Sequence, residues 1–272
     1  MQDFSISPKE MFASFWRNRS LIKALISREV LGRYQGSVMG ILWSLVNPLL
    51  MLLVYTFVFS VIFKARWSPT SESKSEFALA LFAGLIVFNL FAECINRAPG
   101  LILANVNYVK KVVFPLEVLP WVSLGSALFH ATVGFAVWLG AYVILLGMPH
   151  TTALLLPIVI IPLIFFIMGL AWGLASLGVY LRDTSQVVGV ATTMLMFLSP
   201  TFYPATALPE EYRGLLLANP LTPAIEYTRA LLYWGNIPDI KLTIAYTIAA
   251  MLISWVGFAW FQKTRKGFAD VI

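Results

Sequence analysis

The chain has 272 residues, 59% of them hydrophobic and 12% charged, with a formal net charge of +6 and a mean hydropathy of +0.81. Soluble domains average about 45–50% apolar and about 25% charged residues, so this composition excludes a water-soluble globule and, with it, a soluble enzyme. A single cysteine, Cys94, excludes an intrachain disulfide, and two histidines, His130 and His150, are too few for an ordinary zinc site.

Residues 1–37 read as a cytoplasmic, interfacial helical region, too charged for the apolar core of a signal peptide. Ser7-Pro8-Lys9-Glu10 has the form of a capping box with proline at the first helical position. Met11, Phe12, Phe15 and Trp16 follow at helical spacing beside Arg17 and Arg19. A second apolar stripe, Leu21, Ile22, Leu25, Ile26 and Val30, opposes Lys23, Arg28 and Arg33. Such an amphipathic helix suits an anionic leaflet, either as a simple anchor or as an anchor that also touches a partner.

Residues 38–272 read as an all-α membrane domain of six transmembrane helices, at about 38–63, 77–96, 118–146, 153–180, 187–204 and 242–261. Long continuous apolar runs pair their backbone groups internally as helices, whereas barrel strands alternate. Pro115, Glu117 and Pro120 set the start of the third span near the interface. With both termini cytoplasmic, Lys and Arg favour the inside by about two to one, the outside holding Lys64, Arg66, Lys74, Arg213, Arg229 and Lys241. Gly32, Gly36 and Gly40, and again Gly169 and Gly173, give G-x-x-x-G steps that imply close helix contact and are compatible with a homodimer seam.

Between the fifth and sixth spans, Pro200, Pro204, Pro209, Pro220 and Pro223 interrupt short apolar pieces, with Thr222-Pro223 as a helix start. The segment reads as a re-entrant helical hairpin lining a pathway or as an external loop helix on the surface.

Chemistry is sparse. No P-loop, H-E-x-x-H or Asp-x-Asp pattern occurs, so the chain cannot hydrolyse ATP through a P-loop by itself. Among ionisable residues in or near spans, Glu93 and Arg97 are spaced for mutual neutralisation on one helix face, and His130 reads as a hydrogen-bonded packing residue rather than a proton relay. Trp67, Tyr212 and Trp234 read as interfacial belt aromatics. Trp43, Tyr55 and Phe59 along the first span, and Phe197, Phe202 and Tyr203 before the proline-rich segment, are either packing residues or the lining of a glycan path, since aromatic faces stack on sugar C–H faces.

Residues 27–34 (SREVLGRY), Gly36 to Gly40, Trp43 through Asn47-Pro48, Lys110 to Pro115, Arg182-Asp183, Ser199-Pro200 through Tyr203-Pro204, and Asn219 to Pro223 resemble, in order, the permease subunit of bacterial ABC-2 type polysaccharide exporters, which move O-antigen, capsule or teichoic acid chains. The resemblance implies an inner-membrane homodimer that binds two copies of a separate ATPase, which would hold the ATP and Mg, this chain carrying no cofactor. It implies ATPase coupling near Asn105, Tyr108, Lys110 and Lys111, and a gate of half-helices at 209–218 and 222–234. The implied cargo is a lipid-linked polysaccharide rather than nucleic acid. A small-molecule or lipid ABC-2 exporter and a proton-coupled carrier are the alternatives, the second disfavoured by the scarcity of intramembrane carboxylates.

Overall fold

A computed structural model describes residues 4–62, 67, 74–111 and 114–272. Residue 63 at the end of the first expected span, Lys64, Arg66 and Val112-Val113 lie outside the described residues. Among those described, the chain is helical with no strand.

The helices are α1 (Pro8–Arg17), α2 (Arg19–Tyr34), α3 (Trp43–Tyr55), α4 (Lys74–Arg97), α5 (Val106–Lys111), α6 (Leu119–Leu146), α7 (Leu156–Tyr180), α8 (Thr184–Leu198), α9 (Arg213–Ala218), α10 (Leu221–Arg229), α11 (Ile240–Thr264) and α12 (Phe268–Val271). Ser7 caps α1 as its sequence requires, its side chain accepting from the Glu10 N–H at 3.1 Å with Pro8 at the first position. The Glu10 carboxylate does not complete the reciprocal box; it pairs with Arg17 at 2.6 Å.

Among the described residues five helices, around α3, α4, α6, α7 and α11, are long and apolar enough to cross a membrane. The sixth expected span differs. α8 has 15 residues, about 22 Å at 1.5 Å per residue against roughly 30 Å of hydrocarbon, because the chain leaves the helix at Ser199-Pro200. The first span is also broken: a 3₁₀ turn (Gly40–Leu42) leads into α3, Pro48 lies within it, and a π-helical turn (Thr56–Ile62) follows.

α4 forms the centre, with α6, α7, α8 and α10 packed around it and 83% of its apolar window buried. In lipid, apolar burial does not draw helices together, so close packing and interhelical hydrogen bonds must do it. Trp138 Nε1 donates to Leu79 O at 2.8 Å, Trp172 Nε1 to Glu117 O at 3.1 Å, and the Ser176 and Thr264 hydroxyls meet at 2.7 Å. The closest approach is between α7 and α11, where a Cβ on Gly169 would lie 2.5 Å from Ile253 O and one on Gly257 would collide with the Gly169 carbonyl.

The expected close helix contact is thus present at Gly169. The Gly169 seam lies inside one chain, and Gly173 has nothing within 4 Å of its Cβ position. Gly36 and Gly40 stand at φ +81° and +53° in the turn between α2 and α3, with open space around them, so within this chain their glycine identity serves backbone conformation.

A buried carboxylate ties the ends of the chain to the bundle. Glu117 accepts from Ser14 Oγ at 2.9 Å and pairs with Arg265 at 2.6 Å, while Arg265 also donates to Phe114 O at 2.6 Å. α1, the entry to α6 and the end of α11 therefore share one polar knot.

Candidate functional site

A cavity of about 610 Å³ opens between α3, α4 and α6 with Arg33 and Tyr34 of α2 beside it. Its polar wall comes mainly from α4: Asn89, Glu93 and Asn96 recur at the spacing of one helix face, with Ser44 and Asn47 on α3 opposite. Three amides, one serine hydroxyl and the phenols of Tyr34 and Tyr55 supply donors and acceptors suited to a hydroxyl-rich ligand.

Glu93 is not chiefly paired with Arg97, as its sequence spacing predicts. Its carboxylate lies 2.7 Å from Arg33 and 3.1 Å from His130 Nδ1, whereas Arg97 is 3.9 Å away and pairs with Glu29 at 2.6 Å. Tyr34 Oη lies 3.1 Å from His130 Nε2. The i,i+4 contact loses because α2 and α6 present better-placed partners across the bundle. The outcome is a network joining three helices, in which each charge in this apolar setting has an opposite neighbour.

From this cavity an aromatic ladder leads toward the break after α8. Tyr55 lines the cavity and lies 6.4 Å from Phe59, which stacks on Phe202 at 5.9 Å and on Phe77 at 5.5 Å; Phe202 stacks on Phe197 at 5.8 Å. Phe197 remains 61% exposed, and Tyr203 donates its hydroxyl to Phe197 O at 3.1 Å. The structure thus brings together five of the six expected path residues. Trp43, half-buried at the start of α3, is twelve residues from Tyr55, about 18 Å along a helix, and stands outside the ladder.

The segment beyond α8 is held by an arginine the sequence reading treated only as an external charge. Arg229 is fully buried: Nε donates to Ala80 O at 2.7 Å, Nη2 to Thr201 O at 2.6 Å and Nη1 to Pro200 O, with Glu226 at 3.0 Å. The guanidinium lies 4.3 Å over Trp67, which is buried against Phe77 and Trp234 and is not an interfacial belt residue. Gly84 makes room, since a Cβ there would lie 2.9 Å from the guanidinium carbon. α10 begins at Leu221, one residue before the expected Thr222 cap, because Asn219 Oδ1 accepts from the Leu221 N–H at 2.9 Å. It continues as a π-helical turn to Trp234, matching the expected end of the second half-helix.

On the α2–α5 side, a second cavity of about 520 Å³ is lined by Arg28, Glu29, Arg97, Asn105 and Ser185. Asn105 donates to Leu101 O at 2.9 Å. Tyr108 accepts from Arg28 at 3.0 Å and stacks on Phe114 at 4.3 Å, which binds α5 to α2. Lys110 donates to the carbonyl of Ile272 at 2.9 Å, and Lys111 ends α5. Among the described residues, no group of His, Cys, Asp and Glu is arranged to hold a metal ion.

Arg33, Asn47, Asn89, Asn96 and Arg229 were absent from the sequence-derived site. Asn89, Glu93 and Asn96 on one face of an apolar run were a signal available beforehand; the long-range partners of Arg229 were not.

O-antigen export system permease protein RfbA of Myxococcus xanthus is 28% identical over 94% of this chain and 97% of its own length. Polysialic acid transport protein KpsM of Escherichia coli is 26% identical over 90% and 93%, and capsule polysaccharide export inner-membrane protein CtrC of Neisseria meningitidis is 25% identical over 93% and 96%. The family model for the ABC-2 type transporter matches residues 20–233, from α2 to the turn that ends α10, and the chain therefore belongs to the ABC-2 type transporter family, as a transport permease and not an enzyme.

Proposed function

We propose that this chain is the permease subunit of an ATP-driven exporter of a lipid-linked polysaccharide in the bacterial inner membrane. The observation that carries the reading is end-to-end similarity to relatives named for O-antigen and capsule polysaccharide export. The polar cavity continuing into stacked rings supports it, because such a route offers hydrogen bonds and tolerant stacking surfaces to successive sugars.

In this reading two copies assemble with two ATPase subunits. None of the residues of α3 is buried, and Leu45, Leu49 and Leu53 on it are exposed, a face that a second copy would cover. The ATPases would dock beneath α5 and α2, at Asn105, Tyr108, Lys110 and Lys111, holding the ATP and Mg. Both termini would be cytoplasmic, with α1 and α2 at the interface. α8 would complete a sixth crossing together with the chain beyond it, and α9 and α10 would form a re-entrant gate fixed by Arg229. ATP binding then shifts the balance between closed and conducting states.

The test is depletion of this chain in its host. Surface polysaccharide should fall while lipid-linked chains accumulate inside, and inside-out vesicles should take up polysaccharide with ATP even when an uncoupler collapses the proton gradient. Transport that follows the proton gradient and ignores ATP would favour a secondary carrier and overturn the proposal.

A further inference from the structure

Where α2 crosses α6, Ile26 is seated on Gly125; a Cβ there would lie 2.6 Å from Ile26 Cγ1. Beside this crossing runs a groove of about 330 Å³, walled by Phe15, Ile22, Ile26, Trp121, Leu128 and Ile164. Its walls are apolar, but its rim carries Arg19 and Lys23, both exposed and one helical turn apart on α2. Arg19 rests 4.8 Å over the Trp16 ring. Among the described residues the ion-paired carboxylates engage other cations, and neither Arg19 nor Lys23 is in an ion pair.

We propose that this groove binds one anionic phospholipid, with its phosphate on Arg19 and Lys23 and an acyl chain along Ile26, Leu128 and Ile164. From Trp121 to Leu128 the groove descends roughly 10 Å along α6, a depth that suits an acyl chain and leaves the charged rim at headgroup level. A guanidinium and an ammonium together favour a net negative headgroup, whereas a zwitterionic one brings its own cation against them. Walls so poor in hydrogen-bonding groups suit an acyl chain better than the hydroxyls of a sugar. The bound lipid fills the seam between α2 and α6 and so fixes the helix that carries Arg28 and Arg33 to both cavities. The inference rests on the membrane reading and not on the identity of the exported chain.

The experiment is lipid mass spectrometry on the purified permease–ATPase complex from nanodiscs containing equal phosphatidylglycerol and phosphatidylcholine. The wild-type complex should retain phosphatidylglycerol in preference. Arg19→Gln with Lys23→Gln should lower that retention roughly tenfold or more, and Leu128→Trp, which fills the groove with both cations intact, should lower it as well. Lys9→Gln with Arg17→Gln removes two cations from α1 and should leave retention unchanged. If Leu128→Trp does not elute as an intact complex, Ile164→Phe replaces it. Equal retention of the two lipids, wild-type retention in either groove variant, or equal loss in the α1 variant would each overturn the proposal.

Discussion

Arg229 offers the sharpest test of the packing argument. Its guanidinium satisfies the carbonyls of Ala80, Pro200 and Thr201 and the carboxylate of Glu226, all from a position with no solvent exposure. Arg229→Met keeps the length and much of the volume but leaves those acceptors without this donor and Glu226 without its cation. Losing three buried carbonyl bonds, at about 1–3 kcal/mol for each acceptor left unsatisfied, together with the part-buried pair to Glu226, costs at least about 3–5 kcal/mol, which for a chain of this size corresponds to roughly 6–20 °C in Tm. Arg229→Lys should fall between, since one ammonium cannot reproduce the planar fork. Adding Glu226→Gln to Arg229→Met should recover part of the loss, because the abandoned carboxylate accounts for some of it. The assay is thermal unfolding of the purified permease in detergent. A Tm for Arg229→Met within about 1 °C of wild type would refute the claim that this arginine holds α4, α10 and the segment beyond α8 together.

The α7–α11 contact predicts that Gly169→Leu lowers Tm by the equivalent of about 1–3 kcal/mol, while Gly173→Leu, with open space at its Cβ, leaves it nearly unchanged. Replacing Tyr108 together with Lys110 and Lys111 by alanine removes the Arg28 hydrogen bond, the Phe114 stack and the link to Ile272. ATP hydrolysis should then continue with little export, as measured in proteoliposomes containing both subunits; unchanged coupling would remove α5 from the ATPase interface. Alanine at Phe197, Phe202 or Tyr203 should lower export per folded complex, with Phe202 costing most because it stacks on both Phe59 and Phe197, each pair being worth about 0.5–1.5 kcal/mol.

Helix positions were legible from the apolar runs because hydrocarbon leaves the backbone no other partner, and α6, α7 and α11 fall within a few residues of expectation. The short α8 was legible too, had Pro200 been given its full weight as a helix terminator. Side-chain partnerships were not. Spacing rules see one helix at a time, so they paired Glu93 with Arg97, while the actual partners, Arg33 and His130, lie on other helices. The same limit left the partner of Gly169 unnamed: spacing implied close helix contact, and the structure supplies Ile253 and Gly257 of α11. Trp67 and Arg229 looked like surface residues because both flank polar sequence, yet each buries the other.

The central claim is that a polysaccharide travels past the cavity between α3, α4 and α6. A photoreactive benzoylphenylalanine in place of Tyr55, where the cavity meets the ring ladder, tests it most directly in the permease–ATPase complex. Illumination during ATP turnover should attach glycan to this chain, detected by a polysaccharide-specific antibody, and the same probe at exposed Ile144 on α6, away from the cavity, should attach none. Glycan absent from the Tyr55 probe in a complex that still exports would contradict the account.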